Sequence, residues 1–133
     1  FGTLSQFYKN MLEADREGIA QQYFGRKSVY IENYLQCAVV ARNIAAHGGR
    51  FYNRTRLSPA VKLPLMMRRN NVDNSSPFAY FYAIFELLPD ADKFSYIREM
   101  EKLFHKYPAA EPSRMGFPVN WRALLNVPGE SDT

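Results

Sequence analysis

The residues best suited to chemistry lie close together in one stretch, Arg42 to His47, directly before Gly48-Gly49. The stretch combines a permanent cation, a side-chain amide and an imidazole. A guanidinium can hold two phosphate oxygens at once, and an imidazole takes up or releases a proton near neutral pH. These groups together indicate that the stretch binds a phosphodiester and moves a proton beside it.

Helical geometry sets how the three groups would be arranged. Asn43 and His47 are four residues apart, so on a helix they lie one above the other on the same face. Arg42 precedes His47 by five residues, which is about 140° around the helix and about 7.5 Å along its axis. The helix C-terminus favours a protonated imidazole at His47. This chemistry predicts transesterification of RNA, in which the 2′-hydroxyl attacks the adjacent phosphorus without a metal.

The residues from Arg42 to His47 can also be interpreted as purely structural, and other residues of the chain are weaker candidates for chemistry. A histidine before two glycines often only donates to the last carbonyls of a helix, and an arginine on a helix flank is usually solvated. Cys37 and His47 are about 15 Å apart along a helix axis, too far for a nucleophile and its base, so we interpret Cys37 as a small buried apolar residue. Glu101 and His105 resemble half of a metal site but have no second pair. We therefore predict a surface ion pair there, and neither a metal nor a cofactor.

Composition limits the classes of protein to which the chain can belong. With 133 residues, 47% of them hydrophobic, residues 1–133 can form a single domain with its own core. The formal net charge of +4 favours a polyanionic partner. No apolar run reaches the roughly 18 residues of a membrane helix, and a single cysteine fits the reducing cytoplasm. Because the chain opens on Phe1 rather than Met, we expect an N-terminal region to precede it.

Apolar residues at helical spacing, separated by glycine, proline and Asp/Ser turn signals, predict an all-α fold without strands. Phe78 to Leu88 is apolar nearly all round, which predicts a central, buried helix. In the helix after it, Phe94, Ile97, Met100, Leu103 and Phe104 are expected to face inward. The predicted helices run from Thr3 or Ser5 to Glu13, from the N-cap Asp15 to Gly25, from about Val29 to His47, from Ser76-Pro77 to Leu88, from Asp90 or Asp92 to Tyr107, and from about Val119 to Leu125.

A long basic loop is predicted between the third and fourth helices. From Gly48 to Ser76 no periodic pattern persists and turn-forming residues recur. The segment contains six cations but a single acid, Asp73. It is therefore either a solvated loop or a surface for phosphates. The cations are Arg50, Arg54, Arg56, Lys62, Arg68 and Arg69.

Arg42-Asn43-x-x-Ala46-His47, followed by Arg50 and Asn53, resembles the Arg-Asn-x-x-x-His signature of the HEPN ribonuclease superfamily. More narrowly, it is similar to that of the Abi-like (abortive-infection) phage-resistance proteins. Phe1-Gly2-Thr3-Leu4-Ser5 with Tyr8, and Met115-Gly116-Phe117-Pro118 with Trp121, resemble the first and last motifs of that family. The resemblance therefore spans nearly the whole chain, as the C-terminal portion of a family member that normally has a further N-terminal region.

The resemblance implies a HEPN-like helical bundle that acts as a homodimer, in which two such motifs meet in a cleft and cut RNA without a metal. His47 would be the general acid and base, Arg42 the phosphate and transition-state cation, and Asn43 the orienting residue. Arg50, Arg54 and Arg56 would contact the substrate. Arg50 is assigned from the motif, and Arg54 and Arg56 are assigned from the basic loop. The implied function is endoribonuclease activity in bacterial phage resistance. The alternative is a non-catalytic RNA-binding or sensor and dimerisation module of the same fold, and no inhibitor protein is identified by the sequence.

Overall fold

The structure is a computed structural model that describes residues 13–24, 26–46, 57–109 and 111–125. Every regular element in these ranges is helical, which confirms the all-α prediction. None of the helices in these ranges has the length and apolarity needed to cross a bilayer. In chain order the elements are α1 (Glu13–Ile19), a π-helical turn (Ala20–Phe24), α2 (Ser28–Ala46), α3 (Leu65–Arg69), α4 (Pro77–Leu87), α5 (Asp90–Lys106), a 3₁₀ turn (Pro112–Met115) and α6 (Trp121–Leu125).

Helix α4 is the centre of the bundle, as its sequence predicts. It begins at a Ser76 N-cap, whose Oγ accepts a hydrogen bond from the backbone N–H of Ala79 at 3.1 Å, and Pro77 occupies the first turn. Since nearly every side chain of α4 is apolar, all its faces can be covered by neighbours. Helix α2 packs along it. The residues that α2 contributes to the core are Ile31, Tyr34, Leu35, Cys37, Ala38 and Ala41.

An aromatic cluster joins α5 and α6 to α4. The rings of Phe81 and Tyr96 stack with centroids 4.4 Å apart, and Phe117 meets Trp121 edge to face at 5.2 Å. Such ring pairs add about 0.5–1.5 kcal/mol beyond the area that they bury. The Met115–Trp121 region therefore holds α6 against α4.

Two residues of α5 that were expected to face inward are exposed. Phe94 is 62% exposed and Leu103 is 50% exposed, whereas Ile97 is buried. Phe94 and Leu103 are nine residues apart, which is about 180° around a helix, so they lie on opposite flanks of the buried stripe. The spacing pattern correctly found the stripe, but α5 lies at the edge of the bundle and has no described neighbour that covers both flanks.

The predicted N-cap Asp15 lies inside a helix instead. Helix α1 continues across it from Glu13 to Ile19 because the residues around it, including Arg16 and Glu17, favour helix and none of them breaks it. Glu17 accepts a hydrogen bond from the backbone N–H of Ser28 at 3.2 Å and so joins α1 to the start of α2. The first predicted helix, from Thr3 or Ser5, lies outside the described residues, as does Gly25.

Residues 57–76 differ from the predicted loop because much of this segment is packed into the core. Leu57, Val61 and Leu63 are buried, and residues 65–69 form the short helix α3. The segment from 57 to 62 runs back along α2, since the Pro59 carbonyl lies 4.0 Å from Cys37 Sγ and the segment then reaches the start of α2 at residue 62. Its apolar residues are held by partners distant in sequence, which periodicity cannot reveal.

The side chain of Asn33 fastens this segment to α2. It is buried; its Nδ2 donates to the Ala60 carbonyl at 2.9 Å, and its Oδ1 accepts from the Lys62 backbone N–H at 2.8 Å. The Tyr34 hydroxyl donates to the Lys62 carbonyl at 2.9 Å. These bonds supply the backbone partners that a strand neighbour would otherwise give.

Asn33→Ala is expected to lower the free energy of unfolding by about 1–3 kcal/mol, because it leaves the Ala60 carbonyl and the Lys62 backbone N–H without the partner of a partly buried hydrogen bond. Urea unfolding followed by circular dichroism measures the change. Gln22→Ala removes an exposed amide and is the control, with an expected change within about 0.5 kcal/mol. Equal midpoints for Asn33→Ala and the wild type would show that Asn33 does not anchor the segment.

Candidate functional site

Arg42 and Asn43 lie side by side near the end of α2, and both are exposed. The residue before them, Ala41, is buried against the core. The helix therefore turns its packed face away from Arg42 and Asn43 at this point and presents them to solvent. His47 lies outside the described residues, so the predicted stacking of Asn43 and His47 stays a prediction. The proposed substrate contacts Arg50, Arg54 and Arg56 also lie outside them.

Arg42 also lines a cavity of about 370 Å³ between α2, α4, α5 and the Met115–Phe117 segment. Apart from Arg42, the described residues that line it carry no charge. They are Ala38, Ala41 and Ala45 of α2, Pro77, Tyr80, Phe81 and Ile84 of α4, Tyr96 and Met100 of α5, and Met115 and Phe117. The site thus combines an exposed cation with an apolar recess, a feature that the sequence did not predict because four separate segments form it.

Arg42 makes no ion pair with any residue that the structure describes. Lys62, Arg68 and Arg69 are also exposed and have no such partner within the described ranges. Lys27, Arg98 and Lys106 are likewise exposed and without an ion pair there. Six other cations of those ranges are paired, in Arg16–Glu32, Arg26–Glu86, Lys93–Asp90, Lys102–Glu99, Arg114–Glu111 and Arg122–Glu101. Arg42 and the cations of residues 62–69 are therefore available to an anionic ligand.

Arg26 forms a polar cluster with Tyr82 and Glu86 that was not predicted from the sequence. Its Nε donates to Glu86 Oε2 at 2.9 Å and its Nη2 donates to the Tyr82 hydroxyl at 3.0 Å. Burial, with the Glu86 carboxylate beside it, raises the pKa of Tyr82 well above its ordinary value. The sequence feature that could have indicated this cluster is Glu86, the single acid in the otherwise apolar α4, because a partly buried carboxylate needs a partner. The cluster fastens the start of α2 to α4 and contains no exposed nucleophile.

Cys37 is fully buried, which confirms its interpretation as an apolar core residue. Burial raises the pKa of its thiol from 9.0 to about 11. At neutral pH it is therefore protonated and unreactive, because the thiolate is the nucleophilic form.

Glu101 is paired with Arg122, whose Nη1 lies 2.7 Å from Glu101 Oε2, and not with His105 as predicted. Arg122 follows Trp121 on α6 and comes within reach of α5 only through the fold. No group of three or more histidine, cysteine, aspartate or glutamate residues that could hold a metal occurs in the described ranges.

Alkaline pH is expected to destabilise the protein partly through Cys37. The folded state keeps the thiol proton up to about pH 11, whereas the unfolded chain releases it near 9.0. Between these values the folded state binds more protons, so the free energy of unfolding falls as pH rises, by about 2 kcal/mol from this group at pH 11. Cys37→Ala should lose about that much less stability between pH 9 and 11 in urea titrations. Identical pH slopes would contradict the assignment.

Comparison with known families gives one match. Residues 1–53 match the family model described as "Abi-like protein". The matched stretch includes α1, the π-helical turn and all of α2, with Arg42 and Asn43. Comparison with curated proteins and with solved structures gave no match.

Proposed function

We propose that the chain is a metal-independent endoribonuclease of bacterial abortive infection, acting in the cytoplasm, with Arg42, Asn43 and His47 as its catalytic residues. The observation that carries the proposal is the position of Arg42. It is exposed near the end of α2 and makes no ion pair with any described residue, and it lies in the stretch that matches the Abi-like family model. A guanidinium without an ion pair among the described residues, next to an amide, fits the recognition of a phosphodiester.

The proposed reaction needs two proton transfers and one cation. His47 removes the proton of the ribose 2′-hydroxyl, whose oxygen attacks the neighbouring phosphorus. Arg42 stabilises the negative charge that develops on the phosphoryl oxygens. The bond from phosphorus to the 5′-oxygen then breaks, and that oxygen takes up the proton that the imidazole of His47 now carries. The products are a 2′,3′-cyclic phosphate end and a 5′-hydroxyl end.

The site is proposed to be completed by a second copy of the chain. His47 lies outside the described residues; on a helix that continued to it, five residues would separate it from Arg42 by about 140° and about 7.5 Å, so the two side chains of one chain would start in different directions. Two copies that face each other across this end of α2 would bring Arg42 of one chain to His47 of the partner subunit. The proposed assembly is therefore a homodimer in which both copies contribute residues to each site.

Arg68 and Arg69 of α3 are proposed to bind RNA phosphates, together with Arg50, Arg54 and Arg56. Each phosphate contact on a single strand contributes about 0.7 to the slope of log K against log salt. The double variant Arg68→Gln/Arg69→Gln should therefore make that slope shallower by about 1.4. Fluorescence anisotropy with a labelled single-stranded RNA at several salt concentrations measures it. Lys102→Gln is the control, because Lys102 is already paired with Glu99 at 3.4 Å. Equal slopes for the double variant and this control would remove α3 from the RNA surface.

A second candidate function is a non-catalytic RNA-binding module, which the exposed cations Lys62, Arg68 and Arg69 would support without any cleavage. Incubation of an end-labelled RNA with the full chain in EDTA distinguishes the two. We expect fragments with 2′,3′-cyclic phosphate, or with the 3′-phosphate that forms on its hydrolysis. Binding without cleavage would favour the module, and fragments with 5′-phosphate ends would contradict the proposed chemistry.

A further inference from the structure

The cavity beside Arg42 has the properties of a small-molecule site in its own right. Its volume of about 370 Å³ is within the range of ligand pockets, about 300–1,000 Å³. One water molecule takes up roughly 30 Å³ in the liquid. If each non-hydrogen atom of a ligand takes the same volume, the cavity has room for about twelve of them. It lies between three helices that also contribute to the core, so its walls are held by the fold.

The walls offer apolar contact but few polar groups that could orient a ligand. Two tyrosines line the cavity, and both hydroxyls are already engaged: Tyr80 donates to the Pro59 carbonyl at 2.6 Å and Tyr96 to the Phe81 carbonyl at 3.2 Å. A nucleobase would leave the donors and acceptors of its edges unpaired against such walls, which is costly. The body of a well-matched ligand is therefore apolar.

Arg42 supplies the charged group at the edge of the cavity. It is the single charged residue among the described residues that line the cavity, and it is exposed with no ion pair among them. A guanidinium at the edge of an apolar recess pairs best with a carboxylate, which can accept two parallel hydrogen bonds. The charge of the site and the polarity of its walls thus select the two ends of the same molecule.

We propose that this cavity binds a free amphipathic monoanion, an unbranched carboxylate of about ten carbons, with its chain between α2, α4 and α5 and its carboxylate on Arg42. Decanoate, with twelve non-hydrogen atoms, matches the estimated capacity of the cavity. The proposal does not depend on ribonuclease activity, because binding is measured without RNA. Competition between the carboxylate and RNA for Arg42 would be a consequence that rests on the proposed function.

The direct test is titration of the full chain with decanoate, below the concentration at which decanoate forms micelles. Trp121 is the single tryptophan and its ring centroid lies 5.2 Å from that of the lining residue Phe117, so its fluorescence reports binding, with calorimetry as a second readout. We expect saturable binding of decanoate, with decan-1-ol bound about fivefold more weakly because it lacks the partly screened ion pair. No saturable decanoate binding would overturn the proposal.

Two exposed positions separate the roles of the charge and of the cavity. Arg42→Gln should reduce decanoate affinity to that of decan-1-ol and leave the alcohol unchanged. Ala45→Trp should place an indole into the cavity and weaken both ligands at least about tenfold. Ala14→Trp, on the exposed face of α1, is its control and should bind both normally. Unchanged decanoate affinity in Arg42→Gln would show that the carboxylate does not lie on Arg42, and unchanged affinity in Ala45→Trp would place the ligand elsewhere.

Discussion

Arg42→Ala and His47→Ala are each expected to slow RNA cleavage by about 10²- to 10⁴-fold, the range for loss of a general acid–base or of a charge-stabilising group. Arg42 is exposed and makes no ion pair with a described residue, so its replacement should change the free energy of unfolding by less than about 0.5 kcal/mol. The loss of activity in Arg42→Ala would then report the reaction and not the fold.

The two variants should differ in how they bind RNA. Arg42→Ala removes a phosphate contact, so both affinity and cleavage should fall, whereas His47→Ala removes a proton carrier and should leave affinity nearly unchanged. Arg42→Lys keeps the charge but loses the planar pair of donors, so its cleavage rate should lie between those of the wild type and Arg42→Ala.

Initial rates on a labelled RNA in EDTA and anisotropy with the same RNA give both quantities. Lys102→Ala is the control, because it removes an exposed cation of α5 that is paired with Glu99. If Arg42→Ala and His47→Ala both cut RNA as fast as this control, these residues are not the catalytic ones.

Gly116→Ala is expected to cause the largest loss of stability, about 3 kcal/mol, from backbone strain together with a close contact. Gly116 has φ +81°, a left-handed conformation that side chains disfavour. A Cβ added there would lie 2.5 Å from Ser76 Cβ and 2.7 Å from Ser76 Oγ. Ser76 cannot easily move, because its Oγ caps α4 at Ala79 and donates to the Asp73 carbonyl at 2.7 Å.

Gly18→Ala is the matched control, because a Cβ at Gly18 meets nothing within 4 Å among the described residues. Gly18 lies within α1, where alanine should raise the free energy of unfolding by about 0.5–1 kcal/mol. Urea unfolding of both variants should therefore shift the midpoint in opposite directions. A Gly116→Ala midpoint equal to that of the wild type would show that the contact with Ser76 is relieved at no cost. The expected result would assign the Met115-Gly116-Phe117-Pro118 motif a structural role.

Much of the helical core could be predicted from the sequence, because local pattern decided it. An apolar helix such as α4 has no polar face to present to water, and Cys37 follows the packed stripe of α2. The exposure of Phe94 and Leu103 could not be predicted, because spacing shows which residues share a helix face but not which neighbours cover it. The packing of residues 57–64 could not be predicted for a related reason, because Asn33, which holds this segment by hydrogen bonds, is far away in the sequence.

The candidate site likewise has features that could be predicted from the sequence and features that could not. Arg42 and Asn43 were predicted from residue types and spacing, and the structure places both on the exposed side of α2. The cavity beside Arg42 arises only when α2, α4 and α5 come together, and the Arg26–Glu86 pair joins residues 60 positions apart. Neither leaves a local signal stronger than one acid in an apolar helix.

Co-expression of Arg42→Ala and His47→Ala chains with different tags tests whether Arg42 of one chain acts with His47 of the partner subunit. Each homodimer of a single variant lacks one of the two groups entirely. The mixed dimer, purified through both tags, retains one shared site with an intact arginine and an intact histidine from different chains. We predict that it regains up to about half of the wild-type cleavage rate in EDTA, since one of two sites is complete. Cleavage by the mixed dimer no faster than by either homodimer would contradict the shared site.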